Sequence, residues 1–342
     1  MDFNLTHYGF DTMTFDGRRD GCIPARITQV QRERYEAACA EGMIWARLKK
    51  SVYQYEDAVY PTVGDFVYLK YNPAGDSIIE ETLPRRSFFE RRESFSVRGR
   101  QAVAANFDYV FITTSLNDEY RTRRLERYLS QARTSGAQPV IILTKKDIGR
   151  TEAISEAMAA AGDVPVHAVS AKTGEGLEEI RKYLAPGVTI VLMGSSGVGK
   201  STLVNALAGQ ELMSTGAIRE DDDKGRHTTT HRQMLMMPSG TAIIDTPGMR
   251  ELGLWDSSEG VTDTFADIEA LAENCRFRDC THTREPGCAI RTALGAGELD
   301  PGRVRSWQQL RTEADATALR AQKQEKMKRI AQISRERRKK GR

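Results

Sequence analysis

Gly194-Ser195-Ser196-Gly197-Val198-Gly199-Lys200-Ser201 reads G-x-x-x-x-G-K-S. The apolar run Val188 to Met193 leads into it, and an apolar-periodic run from Thr202 to Leu207 comes after. Strand, glycine loop and helix in that order are the context a phosphate-binding loop needs. Glycines let backbone N–H groups turn inward around phosphate oxygens, and the helix N-terminus adds partial positive charge. Lys200 can reach the outer phosphates, and the Ser201 hydroxyl, with Thr202 beside it, can serve magnesium and phosphate oxygen. A glycine turn that precedes a helix by chance has no need of Lys-Ser or of these flanks. The stretch indicates a nucleoside triphosphate without saying which one.

Upstream, residues 107 to 193 alternate strand and helix signals. Tyr109 to Thr113, Pro139 to Leu143, Pro165 to Val169 and Val188 to Met193 are apolar and β-prone. Asp118 to Thr134, Thr151 to Ala161 and Leu177 to Leu184 carry helical periodicity. Such alternation predicts a parallel, doubly wound sheet, with ligand beyond the carboxyl ends of the strands. Three further motifs fall at those ends. Thr144-Lys145-Lys146-Asp147 resembles the N/T-K-x-D element of GTPases, in which the carboxylate accepts from guanine N–H groups and the lysine stem covers the base. Ser170-Ala171-Lys172 resembles the S-A-K element. Thr241 to Ile244 leads into Asp245-Thr246-Pro247-Gly248, which fits D-x-x-G, with Asp245 toward magnesium through water and the Gly248 N–H toward the γ-phosphate. Each motif alone is weak; together, beside a phosphate loop, they select guanine over adenine. Thr144 stands where asparagine is commoner, which leaves the loop-bracing role of that position open.

Between the phosphate loop and D-T-P-G lies Lys224-Gly225-Arg226-His227-Thr228-Thr229-Thr230-His231. One threonine is expected to close over magnesium as a switch does; Thr229 is the first choice, with Thr228 and Thr230 beside it. A solvated β-prone loop has the same composition. Met249 occupies the position after D-x-x-G where Ras-like GTPases carry a water-orienting glutamine, so another group must place the water. His227, just before the threonines, is the candidate catalytic residue together with Lys200, although a surface loop can equally carry a histidine. The segment Met213 to Arg232 is expected to be mobile when unbound. The order T-K-K-D, S-A-K, phosphate loop, threonines, D-T-P-G is a circular permutation of the Ras-like order, which a sheet tolerates where termini lie close.

Cys275-x4-Cys280-x-His282-x5-Cys288 places three thiols and an imidazole within 14 residues. That donor set suits one closed, structural, tetrahedral zinc per chain. Cys22 and Cys39 read as isolated, half-buried thiols. Phe265 to Leu271 and Arg303 to Leu310 look helical. Trp307, Leu310, Ala314, Ala318 and Ala321 mark one face, read as core packing.

At the other end, Ile23 to Val30, Tyr35 to Cys39, Met43 to Leu48, Phe66 to Tyr71 and Ser77 to Thr82 predict five short strands, a small barrel of the OB type. Binding nucleic acid and a purely structural role are equally open for it. Leu83 to Arg100 reads as a basic linker in which Phe88, Phe89 and Phe95 either grip single-stranded nucleic acid or pack on the barrel. The expected organisation is therefore multidomain. A flexible N-terminus covers 1–20, the barrel and basic linker 21–96, and the α/β permuted GTPase domain 97–256. A mainly helical zinc domain covers 257–320 and a basic tail 321–342.

Length and charge fit that division. The 342 residues carry a net charge of +3, of which the stretch from Arg303 to Arg342 contributes +10 (14 Lys/Arg against 4 Asp/Glu), leaving −7 for the rest. A basic end on an acidic body suggests a polyanionic partner. No apolar run approaches a membrane span and Met1 to Phe15 lacks a signal-peptide core, so a cytoplasmic protein with no membrane partner is expected.

Barrel, permuted motifs with GRHTTT before DTPG, and C-x4-C-x-H-x5-C together resemble the RsgA (YjeQ) family of GTPases dependent on the small ribosomal subunit, over about residues 20 to 310. The resemblance implies a GTPase acting late in small-subunit maturation and bound near the decoding region of the rRNA. It implies hydrolysis of GTP to GDP stimulated by the subunit, release afterwards, magnesium with the nucleotide, and a monomer. It points to His227 as the group that orients water.

Overall fold

The computed structural model describes residues 5–10, 21–31, 34–53, 58–92, 100–117, 120–214, 232–245 and 258–340. The chain divides into two compact units, Met1–Tyr128 with Ser135–Leu252, and Leu129–Thr134 with Gly253–Arg342.

The first unit begins with a barrel: β1 (Ile23–Val30), β2 (Tyr35–Cys39), β3 (Gly42–Leu48), the short helix α1 (Lys50–Tyr53), β4 (Phe66–Lys70) and β5 (Ser77–Thr82). β1, β2 and β3 form an antiparallel meander; β3 pairs β5 in parallel, β5 pairs β4, and β4 returns to β1 to close the ring. Ile27, Ala37, Ala46, Val67, Leu69 and Ile79 are fully buried in its core. Small alanines opposite branched residues are what the narrow interior of a five-stranded barrel accepts. Each of the five strands expected from the sequence is present.

Two segments differ from the sequence reading. Within the N-terminus expected to be mobile, Leu5–Tyr8 forms a 3-10 turn. It is tied down by Arg26, a barrel residue only 1% exposed, whose guanidinium donates to the carbonyls of Tyr8 (2.7 Å), Gly64 (3.2 Å) and Asn106 (2.7 Å). Burial lowers Arg26 to about 10, which leaves it charged at neutral pH. Phe10 adds an edge-on contact to Phe66. The stretch read as a linker contains a hairpin, β6 (Phe88–Arg92) with β7 (Arg100–Ala105). Phe89 is buried and stacks on Phe107 at 4.9 Å, while Arg85 covers Phe88 and forks onto the fully buried Asp65. Those aromatics pack within the protein; Phe95 lies outside the described residues.

The α/β part comprises β8 (Tyr109–Ser115), α2 (Thr122–Thr134), β9 (Gln138–Thr144), α3 (Thr151–Ala161), β10 (Val166–Ala168), α4 (Leu177–Arg181), β11 (Thr189–Met193), α5 (Lys200–Ala208), β12 (Arg232–Met236) and β13 (Ala242–Asp245). The strands run β10-β9-β8-β11-β13-β12, the first five parallel and β12 antiparallel to β13. Phe111, Ile142, Ile190, Leu192, Leu203, Val204 and Ile243 build its core. A parallel strand covered on both faces needs a continuous apolar run rather than alternation, which is why all five residues of β11 are buried. β12 also pairs with β1 of the barrel through Gln29↔Gln233 and Val30↔Arg232, so barrel and α/β sheet form one eleven-stranded sheet.

The second unit holds the last turn of α2 with α6 (Ser258–Thr264), α7 (Ala266–Ala272), α8 (Ala289–Ala296) and the long α9 (Pro301–Lys340). Phe265, Ile268, Ile290, Val304, Trp307, Leu310 and Ala314 are its buried centre. Of the expected apolar face of α9, Trp307, Leu310 and Ala314 are buried and Ala318 is half-buried. The basic tail expected from 321 continues as the same helix to Lys340.

Candidate functional site

β11 delivers the chain to Gly194 at φ 149°, where an added Cβ would lie 2.2 Å from the Thr113 carbonyl of β8. A side chain cannot be accommodated against that backbone. Gly197 and Gly199 also take positive φ, 77° and 97°, and α5 starts at Lys200, so Ser201 and Thr202 sit in its first turn. The Lys200 ammonium folds back over the loop and donates to the carbonyls of Gly194 (2.8 Å) and Ser195 (2.7 Å). Val198 is buried beneath, while Ser196 and Gly197 are exposed at the crest. The result gathers the loop backbone, a cation and a helix N-terminus at one strand end, an arrangement suited to anionic oxygen.

Two neighbouring strand ends complete the edge. β9 ends at Thr144, only 2% exposed, whose hydroxyl donates to the Val198 carbonyl at 2.5 Å and so ties the T-K-K-D loop to the phosphate loop. Lys145 takes φ 59°, a left-handed turn that presents Lys146 and Asp147 beyond the sheet. After β10, the buried Ser170 donates its hydroxyl to Asp147 Oδ1 at 2.8 Å and accepts from the Thr173 N–H, which brings the S-A-K turn of Ser170, Ala171 and Lys172 against the T-K-K-D loop. Lys146 pairs with Glu175 at 2.6 Å. Asp245 closes β13 in register with Leu192. Thus Thr144, Asp147, Ser170, Gly194 to Ser201 and Asp245 share the carboxyl edge of one parallel sheet, the position ligands take in such folds. His227, Thr228, Thr229, Thr230, Gly248 and Met249 lie outside the described residues.

In the second unit, the ligand atoms of Cys275, Cys280, His282 and Cys288 all lie within 4.8 Å of one another, a group able to hold a metal ion. His282 Nδ1 is 3.5 Å from Cys275 Sγ and 3.6 Å from Cys288 Sγ, and those sulfurs are 3.9 Å apart. Sulfurs about 2.3 Å from one tetrahedral centre would stand roughly 3.8 Å apart, so the spacing fits a thiolate-bound ion. Cys275 lies just beyond α7 and Cys288 directly precedes α8. Between them, Glu285 accepts from the Thr281 hydroxyl and from the N–H groups of Thr281, Thr283 and Arg284, which folds the loop and holds its carboxyl down at about 2. Burial, with the nearby Arg311, pushes the His282 imidazole below its ordinary range and favours the neutral, ligating form. Trp307 stands 5.2 Å from that ring and is fixed by an N–H bond to Glu269.

Sequence reasoning missed Glu285 and Glu269, for acidic residues carry no motif here. It also missed Arg124 and Tyr128 of α2, both 3.3 Å from the Ser195 hydroxyl.

The family model described as RsgA GTPase matches residues 82–255. A model described as ABC transporter matches 177–334, an overlap that takes in the phosphate loop. The chain is 42% identical over 335 residues to the small ribosomal subunit biogenesis GTPase RsgA 2 of Lactiplantibacillus plantarum, covering 96% of this chain and 94% of that protein. It is similar to the crystal structure of YjeQ from Thermotoga maritima, with TM-score 0.63, 25% identity, and 86% and 98% of the two chains covered. The fold also resembles YloQ, described as a circularly permuted GTPase, with TM-score 0.59, 22% identity, and 89% and 98% covered.

Proposed function

The chain belongs to the RsgA GTPase family, and from that premise we propose that it hydrolyses GTP to GDP and phosphate while bound to the small ribosomal subunit, late in that subunit's maturation. The carrying observation is the convergence of phosphate loop, T-K-K-D and S-A-K on one sheet edge, with Asp147 held by Ser170 and Thr144 tied to Val198. In this reading the N–H groups of 194–199 and the Lys200 ammonium cradle the phosphates. Asp147 accepts from guanine N–H groups, Lys145 covers the base, and the Ser170–Ala171–Lys172 turn faces the guanine carbonyl.

Ser201 and Thr229 would hold magnesium, with Asp245 through water; oxygen donors suit that hard cation, which offsets phosphate charge. His227 would orient the attacking water, since Met249 cannot, and Gly248 would meet the γ-phosphate. The Cys275, Cys280, His282 and Cys288 group takes zinc, one per chain, in a closed structural role. The barrel and the basic end of α9 supply rRNA contacts, and the chain acts as a monomer in the cytoplasm. Among the described residues no helix is long and apolar enough to cross a membrane.

The test is sedimentation with purified subunits. Retention by immature small subunits with a non-hydrolysable GTP analogue, and release with GDP, is expected. Equal retention by mature subunits would favour a translation-associated role, and retention indifferent to nucleotide would favour a passive scaffold.

A further inference from the structure

We infer that Arg124 and Tyr128 are positioning residues for the phosphate loop, and that the Arg124 charge makes that loop prefer GTP over GDP. The inference rests on the GTP reading above. Nothing in G-x-x-x-x-G-K-S calls for either residue; α2 brings them there. The Ser195 hydroxyl accepts from Arg124 Nη1 at 3.3 Å and shares a hydrogen bond with the Tyr128 hydroxyl, also at 3.3 Å. Tyr128 is 6% exposed, so its ring is fixed by packing while its hydroxyl meets the loop. From the other side, Lys200 holds the carbonyls of Gly194 and Ser195. Ser195 is therefore clamped through side chain and backbone. The next N–H groups, at the exposed crest of Ser196 and Gly197, inherit that orientation.

The two partners differ in what they add. Tyr128 contributes geometry alone. Arg124 is exposed, and its guanidinium, on the Ser195 hydroxyl, brings a positive charge to the loop. A second cation on Ser195, whose carbonyl Lys200 already holds, attracts an anion in proportion to its charge, and GTP carries one phosphate more than GDP. Because the guanidinium is solvent-exposed, the preference must weaken as salt screens it.

The experiment uses the full chain with fluorescent GDP and a fluorescent non-hydrolysable GTP analogue, in low and high salt. For Arg124→Gln, affinity for the analogue should fall about tenfold, with GDP affinity changed by less than about twofold. Arg124→Lys should restore most of the loss, and the gap from wild type should narrow at high salt. In a parallel assay of turnover with GTP itself, Tyr128→Phe should lower kcat with the thermal midpoint of unfolding unchanged. Equal losses for both nucleotides in Arg124→Gln, or a loss that tracks the unfolding midpoint, would show a merely structural contact and overturn the inference, as would Arg124→Gln protein that binds both nucleotides like wild type or Tyr128→Phe protein with wild-type kcat. Wild-type protein that binds neither nucleotide would instead overturn the GTP reading and the inference with it.

Discussion

Thr144 and Asp147 sit three residues apart and do different work. The Thr144 hydroxyl is buried and supplies the bond to Val198 that the sequence left open for a threonine in this position. Thr144→Val keeps the shape and removes the donor, leaving the Val198 carbonyl without it. A loss of about 1–3 kcal/mol in unfolding free energy is expected from chemical denaturation; an unchanged midpoint would mean that water replaces the hydroxyl. Asp147 is exposed beyond the sheet, with one oxygen engaged by Ser170. Asp147→Asn turns an acceptor into a donor facing guanine donors. GTP affinity should fall by about 2–4 kcal/mol, roughly 30- to 700-fold. Xanthosine triphosphate, which offers an acceptor there, should gain; unchanged GTP affinity would remove Asp147 from base recognition. Spacing at strand ends made the motif residues legible. The Thr144 bond was not, because it depends on how β9 and β11 stand on either side of β8.

At the scale of elements, periodicity served long covered segments best. The five parallel strands and α3 were legible because each is a continuous apolar or 3.6-residue pattern. β6 and β7 were not, since charged residues from Glu90 to Arg100 hid the pairing of Phe88 and Phe89. β12, Arg-Gln-Met-Leu-Met, has neither pattern and exists because β13 and β1 flank it. α6 and α8 are too short to show a period. The metal group was legible through Cys and His spacing, but its supports, Glu285 and Trp307, were not. Removing the metal should test those supports. Elemental analysis should find one zinc per chain, and Cys280→Ala should lose it and expose the second unit to proteolysis near 275–288, because structural zinc contributes folding energy. Metal-free wild-type protein with an intact second unit would contradict this. α9 makes a separate, electrostatic prediction. Ending the chain after Gln322 removes 10 Lys/Arg and 2 Asp/Glu, a net of +8. Binding to small subunits should weaken and the slope of log affinity against log salt should flatten. Identical slopes would make the end of α9 a bystander.

For the whole molecule, the permutation matters most. The phosphate-loop strand β11 lies at the centre of the α/β sheet, yet the T-K-K-D and S-A-K loops precede it in the chain. Beyond D-T-P-G the chain runs on into the sequence that carries the metal group. The barrel joins the same sheet through β1 and β12, and β12 comes directly after the segment holding His227. The switch sequences therefore connect, in chain order, to the barrel-bound strand on one side and to the second unit on the other. Nucleotide state and subunit binding are expected to be linked through those connections. The order of motifs was legible from the sequence; the pairing of β1 with β12 was not, because no local pattern records which edge strand another sheet will meet. The measurement that bears most directly on a subunit-activated GTPase is GTP turnover by wild type and His227→Ala, with and without purified small subunits. We expect slow turnover by wild type alone and stimulation of at least about a hundredfold by the subunit. His227→Ala should bind GTP with near-normal affinity and lose almost all of the stimulation. Wild-type turnover that the subunit leaves unchanged would contradict the central claim. Full stimulation in His227→Ala would leave the claim standing and assign the water-orienting group elsewhere.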